Sequence, residues 1–103
     1  MIIVTTDNLT GKNITEVKGY VSGQVVQSRN IGRDIMAGLK SVIGGELKGY
    51  TEMIRDAEKM AITRMVEEAE KKGANAIIGM RLQSSAGQGT FEIIAYGTAV
   101  RGE

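Results

Sequence analysis

The stretch that decides the fold runs from Tyr50 to Gly79 and reads YTEMIRDAEKMAITRMVEEAEKKGANAIIG. Its apolar residues recur at spacings of three and four, which places them on one face of a helix. That face comprises Tyr50, Ile54, Ala57, Ala61, Met65 and Ala69, and it is broadened by Met53, Met60, Ile62 and Val66. The pattern predicts one long amphipathic helix that is buried over more than a narrow seam.

Signals at both ends of this helix indicate where it begins and ends. Thr51 can serve as an N-cap for a helix that begins at Glu52. At the other end, Glu68 and Lys72 are spaced for an ion pair, and lysines suit the negative end of the helix dipole. Gly73 can adopt the left-handed conformation that closes the last turn. We therefore predict that the helix stops at Gly73 and that the chain passes directly into a strand.

Two strands are predicted after the helix. Residues 75–83 alternate with a period of two, residues 84–89 form a polar turn segment with two glycines, and residues 90–100 read as a second strand. One face of the second strand carries Phe91, Ile93, Ala95 and Ala99, and the other carries Ile94, Tyr96 and Val100. Because both faces are partly apolar, each needs a cover, and the long helix supplies only one.

The first half of the chain is less regular. Residues 2–5 predict a short strand, and residues 14–27 predict a longer one with Val17, Val21 and Val25 on one face and Tyr20 and Val26 on the other. Two glycines, Gly19 and Gly23, interrupt the longer strand, which indicates a bulge, a bend or the close approach of another backbone. Residues 30–43 predict a second, shorter helix that ends at Gly44 and Gly45. The predicted fold class is therefore α/β in the α+β sense, with a curved antiparallel sheet packed on one long helix plus a shorter helix.

Composition narrows the range of functions. The 103 residues are expected to form a single domain, 1–103. Thirteen basic residues balance twelve acidic ones, so we expect neither a nucleic-acid partner nor a membrane surface. No secretion signal, membrane span or lipidation motif is visible, and the expected location is cytoplasmic.

The absence of His and Cys limits the possible chemistry. Nucleophilic catalysis needs an activating base, which is most often His, so a Ser–Lys pair is the main arrangement that remains open. No glycine-rich phosphate loop or dinucleotide motif occurs in the sequence. We therefore expect a protein that is not an enzyme and that carries no cofactor.

One polar constellation stands out as a candidate site. Asn30, Arg33 and Asp34 gather at the start of the predicted short helix, and Arg55 lies in the long one. One interpretation is an anion or small-ligand site at a helix N-terminus, formed within a subunit or between subunits. The other is a helix cap with a structural salt bridge, and ion-pair networks are more often structural than catalytic.

Several motifs along the chain resemble those of one family. Residues 44–50 (GGELKGY), 55–57 (RDA), 73–79 (GANAIIG) and 95–100 (AYGTAV) look like successive motifs of the YbjQ-like proteins, and residues 19–23 (GYVSG) with Asn30, Arg33 and Asp34 look like earlier ones. The family is described as heavy-metal-binding, and its function is not established. The resemblance implies a dodecin-like subunit whose antiparallel sheet curves around the long helix, and it implies assembly into a homo-pentameric ring. Dodecins bind flavin by stacking it on an indole, and this chain has no Trp.

Two functions from different classes remain. The first is a non-enzymatic, ring-forming homo-oligomer that binds a small-molecule ligand at its subunit interfaces. The alternative is a metal-binding or metal-handling protein, which would need oxygen or thioether ligands because thiolates and imidazoles are absent. Its six methionines fall mostly on apolar faces, where Met is ordinarily core filler, so no residue is assigned as a metal ligand. The first function is preferred because an isolated monomer would expose apolar sheet surface and unpaired strand edges. The alternative to an oligomer is a monomer whose predicted short helix folds across the uncovered side of the sheet.

Overall fold

The computed structural model describes residues 1–28, 48–87 and 89–103, including every side chain in these ranges except those of Lys48 and Tyr50. The described elements, in chain order, are β1 (Ile2–Ile3), β2 (Ile14–Ser28), α1 (Lys48–Lys71), β3 (Ala76–Ala86) and β4 (Thr90–Gly102). The predicted short helix over residues 30–43 lies outside the described residues. The rest is an α+β arrangement of four strands and one long helix, as predicted.

The four strands form one sheet in the order β1-β3-β4-β2. β4 pairs antiparallel with both β3 and β2. β1 pairs parallel with β3, with Ile2 opposite Ala76, so the sheet is mixed at this edge and antiparallel elsewhere. The chain order permits the parallel pairing, because the segment between β1 and β3 contains a complete strand and a helix, which is ample for a crossover.

Helix α1 covers one face of this sheet, chiefly over β2 and β4. Its buried side chains recur at intervals of four and match the predicted stripe, comprising Met53, Ala57, Ala61, Met65 and Ala69. They pack against the helix-facing residues of the sheet, comprising Val21, Val25, Ile77, Phe91, Ile93, Ala95 and Ala99. The alanines let the helix axis approach the strands closely, and the methionines fill the irregular gaps.

The C-terminal end of α1 agrees with the prediction, whereas the N-terminal end does not. Gly73 has a φ of +78°, its N–H bonds the carbonyl of Glu70, and the Ala74 N–H bonds the carbonyl of Ala69, which together make a Schellman cap. At the start, the helix already includes Lys48, so Thr51 lies in its first turn and is not the N-cap. A single glycine at position 49 costs the helix only about 1 kcal/mol, which does not prevent an earlier start.

The sheet register shifts at three points, one of them between Ile14 and Glu16, and the other two are β-bulges that change the predicted faces. In β2 the register shifts between Val17 and Gly19, and Gly19 has a φ of +110°. The extra residue reverses the alternation, so Val17 pairs with Val100 on the face away from α1 and is 65% exposed. The prediction that Val17 shares a face with Val21 is therefore wrong.

The second bulge lies in β3, between Ile78 and Arg81. Gly79 and Met80 stand opposite a single residue of β4, and their N–H groups donate to the carbonyls of Thr6 and Val4. The bulge moves Leu82 to the helix-facing side of the sheet, although simple alternation places it with Ala76 on the opposite side. Strand β3 then continues to Ala86, so the predicted turn at 84–89 begins three residues later than expected.

The face of the sheet that points away from α1 has a small cover at one end only, within the described residues. Leu9, in the loop before β2, packs there with Ala76 and Val100, and Val4, Ile14 and Ile78 surround them. Beyond this cluster lies a set of side chains that we call the far face, comprising Val17, Tyr20, Val26, Ile94 and Tyr96. Tyr20 is 62% exposed and Val26 is 60% exposed, in agreement with their predicted position opposite Val21 and Val25.

Candidate functional site

The candidate site predicted from the sequence is only partly within the described residues. Arg55 lies on the exposed side of α1, in its second turn. Asn30, Arg33 and Asp34 lie outside the described residues, and so does any contact between them and Arg55. The constellation of these four residues therefore remains a prediction.

The methionines, the only soft donors in the chain, are placed as follows. Met53 and Met65 are buried in the core between α1 and the sheet, and Met80 packs against the same core. Met1 and Met60 are about half exposed at separate places in the fold, and Met36 lies outside the described residues. Because His and Cys are absent, carboxylates are the other donor type to consider. The structure shows no group of three or more carboxylates that could hold a metal ion within residues 1–28, 48–87 and 89–103.

A cleft opens between α1 and the outer half of β3. Since α1 lies over β2 and β4, the helix-facing side of β3 beyond its bulge has little cover from the described residues. The cleft has a volume of about 260 Å³. Its lining includes Ile54, Glu58, Leu82, Ser84, Phe91 and Ile93.

The strands decide which side chains point into this cleft. Leu82 pairs with Ala95 and Ser84 pairs with Ile93, and paired residues of antiparallel strands project to the same face. Both therefore share the helix-facing side with Ile93 and Phe91, which form the buried base. Glu58 stands one helical turn after Ile54 on the opposite wall. The arrangement is an apolar floor with the Glu58 carboxylate and the Ser84 hydroxyl at its rim, and Gln83 and Ser85 also line the cleft.

The sequence patterns predict that several residues of the cleft floor belong to the core, but they do not predict the cleft itself. Ile54, Phe91 and Ile93 were expected on buried faces, whereas Glu58 and Ser84 belonged to no predicted site. One signal was available for Glu58, because it lies four residues after Ile54 and four before Ile62, on the edge of the apolar stripe. The position of Ser84 depends on the bulge in β3, which no local pattern indicates.

Helix side chains also contact the edge strand β2. Lys72 donates from Nζ to the carbonyl oxygen of Tyr20 at 2.8 Å, and Arg64 donates to the carbonyl oxygen of Gln24. Lys72 also pairs with Glu68 at 4.0 Å, as the sequence predicted. Charged side chains placed on an edge strand hinder its pairing with another chain. These contacts occupy backbone acceptors of β2 and leave the side chains of the far face exposed.

Among the described residues, no helix is long and apolar enough to cross a membrane.

Comparisons with known proteins agree on one family. The YbjQ family model, described as "Putative heavy-metal-binding", matches residues 1–103. The chain is 63% identical to the UPF0145 protein of Bacillus licheniformis over 100 residues, covering 97% of each chain. It is 59% identical over 102 residues to the UPF0145 protein of Vibrio parahaemolyticus, covering 98% of this chain and 97% of that one.

A solved structure supports the fold. The crystal structure of a protein of unknown function from the DUF74 family of Pediococcus pentosaceus aligns with a TM-score of 0.68 at 16% sequence identity. The alignment covers 100% of this chain and 98% of that chain. At this identity the likeness concerns the fold alone. The match of the family model over residues 1–103 and the high identity to the bacterial relatives show that the chain belongs to the YbjQ family, the UPF0145 proteins.

Proposed function

We propose that this protein is a non-enzymatic subunit of a closed homo-oligomeric ring that binds a small ligand. The ring has five subunits in the form that the YbjQ-like resemblance implies. The observation that carries the proposal is the far face, where Val17, Tyr20 and Val26 are each exposed by 60% or more on a sheet whose opposite side is covered by α1.

The physical argument concerns apolar area. Soluble monomers rarely expose contiguous apolar patches larger than a few hundred Å². The far face aligns Tyr20 and Val26 on β2 with Ile94 and Tyr96 on β4, and within the described residues only the cluster around Leu9 covers part of that side. Each further Å² buried contributes roughly 25 cal/mol. A second copy of the chain would cover the far face without a different protein as partner.

The dimensions of the subunit support the same proposal. The Cα radius of gyration is 16.6 Å, whereas a compact domain of about 100 residues has about 13 Å. The principal extents are 51, 27 and 17 Å, and the three long strands account for the greatest of them. The part of the subunit that the structure describes is elongated, and an elongated body exposes more surface for its size than a compact one, so contact with a neighbour would bury more of it.

The strand edges suggest which contacts close a ring. Over residues 81–86, beyond its bulge, β3 pairs with β4 on one edge, and no described strand pairs with its other edge. No described strand pairs with the outer edge of β2 either. Lys72 and Arg64 already occupy two carbonyls of β2. A cyclic ring uses two different surfaces of each subunit. We assign one of them to the far face and the other to the open edge of β3.

Sedimentation velocity at micromolar concentration tests the assembly. The expected result is one species at five times the 11.0 kDa chain mass. A single species at the chain mass over the whole concentration range would contradict the proposal. A dimer or trimer would preserve the burial argument and reject the number five.

Metal binding is the second candidate, and the family description is the reason to test it. The donors present do not fit a soft or borderline metal, because the chain has no His or Cys and, among the described methionines, Met53 and Met65 are buried in the core. We expect no stoichiometric binding of zinc or copper in a calorimetric titration of metal-free protein at neutral pH. Binding near one metal per subunit with micromolar or tighter affinity would favour this second function.

A further inference from the structure

We propose that the cleft between α1 and β3 is a binding site for a small organic ammonium ion that carries an apolar body. The inference rests on the ligand-binding part of the proposed function and not on the ring. It places the ligand inside one subunit, whereas the family resemblance and the far face concern contacts between subunits.

The floor of the cleft selects an apolar body. Phe91 and Ile93 form a buried base, and Leu82 lies near them with 40% of its surface exposed. The helix-facing side of a strand is the side on which apolar residues are normally covered, and here Leu82 remains open to solvent. At about 260 Å³ the cleft lies just below the range of about 300–1,000 Å³ typical of ligand pockets, which indicates a small ligand.

The charge of the ligand follows from Glu58. Glu58 is the one charged residue that lines the cleft among the described residues, and it is partly buried. Across the ranges that the structure describes, its carboxylate makes no ion pair or hydrogen bond, and among the acidic side chains there that stay unpaired it is the one that lines the cleft. A partly desolvated carboxylate beside an apolar floor favours a cation that brings its own apolar surface, since both parts are then satisfied.

Ser84 completes the recognition. Its side chain shares the helix-facing side of the hairpin with Ile93, and in the described part of the chain its hydroxyl has no hydrogen-bond partner. A hydroxyl can accept one N–H of an ammonium group while the carboxylate accepts another. Leu82, Phe91 and Ile54 then contact the hydrocarbon part. The three features together distinguish an amine from an alcohol or an acid of the same shape.

The test compares three probes of matched shape and different charge. The protein is titrated with 2-phenylethylamine, 2-phenylethanol and 3-phenylpropanoate, and binding is followed by amide chemical-shift changes in 15N-labelled protein. We expect the amine to shift the amides of β3 around Ser84 and of α1 around Glu58. The alcohol should bind more weakly at the same amides, and the acid should bind most weakly.

Variants separate the contributions of charge and shape. Glu58→Gln should weaken amine binding about tenfold, the low end for a charge-assisted bond at a partly exposed group, and leave the alcohol unchanged. Glu67→Gln makes the same charge change on the exposed side of the same helix and should alter neither affinity. Ser84→Leu should fill the cleft and abolish binding of the amine and of the alcohol.

Several outcomes would overturn the inference. They are the absence of shifts at the cleft, equal affinity for all three probes, or amine binding that Glu58→Gln leaves intact. Sedimentation of the same samples distinguishes this failure from failure of the ring. If the probes do not bind and Ser84→Leu changes the oligomeric mass, a second copy covers the cleft; the ligand site is then rejected while the assembly stands.

Discussion

At Gly23 the backbones of the sheet and the helix approach each other closely. A Cβ atom built at this position would lie 2.1 Å from the carbonyl oxygen of Ala61 and 2.5 Å from the backbone nitrogen of Met65. Both are backbone atoms, so no side chain can move away to make room. The sequence offered a bulge, a bend or a close approach for Gly19 and Gly23, and the structure assigns the bulge to Gly19 and the close approach to Gly23.

Gly23→Ala should therefore destabilise the protein by about 1–3 kcal/mol, as overpacking a core does. Urea unfolding at one fixed protein concentration measures it. Gly87→Ala is the matched control, because its Cβ would meet nothing closer than the Thr90 hydroxyl at 3.9 Å, and its effect should stay below about 1 kcal/mol. Equal midpoints for the two variants would mean that α1 does not lie against β2 at Gly23.

Asn75 has a structural role that sequence patterns do not indicate. Its amide nitrogen donates to the carbonyl of Gly102 at 2.9 Å, and its amide oxygen accepts from the Gly102 N–H at 2.8 Å. The side chain thus imitates a backbone unit and extends the ladder between the start of β3 and the end of β4. Its own N–H bonds the carbonyl of Val100.

Asn75→Ala should cost about 1–3 kcal/mol, because it leaves two partly buried backbone groups of Gly102 without their partner. The change is read from the midpoint of urea unfolding. Asn13→Ala is the control, since Asn13 pairs with Glu103 through backbone atoms only and its side chain is exposed. A loss as large in the control as in Asn75→Ala would refute the role given to the amide.

At the scale of elements, helix α1 illustrates how a pattern and a structure can differ in detail. The stripe predicted from spacing included both Met60 and Met65. Met65 is fully buried against the sheet, whereas Met60 is 43% exposed. A helix turns 100° per residue. Residues at the margin of a broad apolar stripe therefore do not contact the sheet when the helix packs mainly on two strands.

Met65→Ala should destabilise the protein by about 2–5 kcal/mol, the range for large-to-small changes in a core. Met60→Ala removes the same atoms from the same helix and should cost less than about 1 kcal/mol. Thermal and urea unfolding of the two variants provide the comparison. A smaller loss for Met65→Ala than for Met60→Ala would show that the helix is rotated about its axis from the position described above.

At the scale of the whole molecule, the far face is the surface that the proposed oligomer would bury. Tyr20→Lys places a charge in the middle of that face and should dissociate the oligomer or weaken it at least tenfold, because an unpaired charge is not tolerated at the core of an interface. Met60→Lys is the matched control, since it replaces an exposed apolar residue on α1 and should leave the mass unchanged. Sedimentation velocity over a dilution series measures both.

An intact oligomer in Tyr20→Lys, with native circular dichroism, would remove the far face from the proposed interface. Dissociation of Met60→Lys instead would move the interface to the exposed side of α1. A variant that unfolds when it dissociates would still support the interface, because a thin subunit depends on its neighbours for burial.

Local sequence determined the helix, its end at Gly73, the strands that follow it and the alternation within β4. These features depend on residues a few positions apart, through spacing, capping and the restricted backbone of glycine. Family membership was also recognisable, because the motifs occur in order along the whole chain.

Only the tertiary structure decided the parallel pairing of β1, the exposure of Val17 and the cleft between Glu58 and Ser84. Each depends on contacts between residues far apart in the chain, since Val17 faces away from α1 only because of its register with Val100. One inserted residue in a strand reverses every later side chain, and the pairing energy that places a bulge comes from the neighbouring strand. The physical reason is that a local period specifies a face, whereas the partner strand specifies which face is buried.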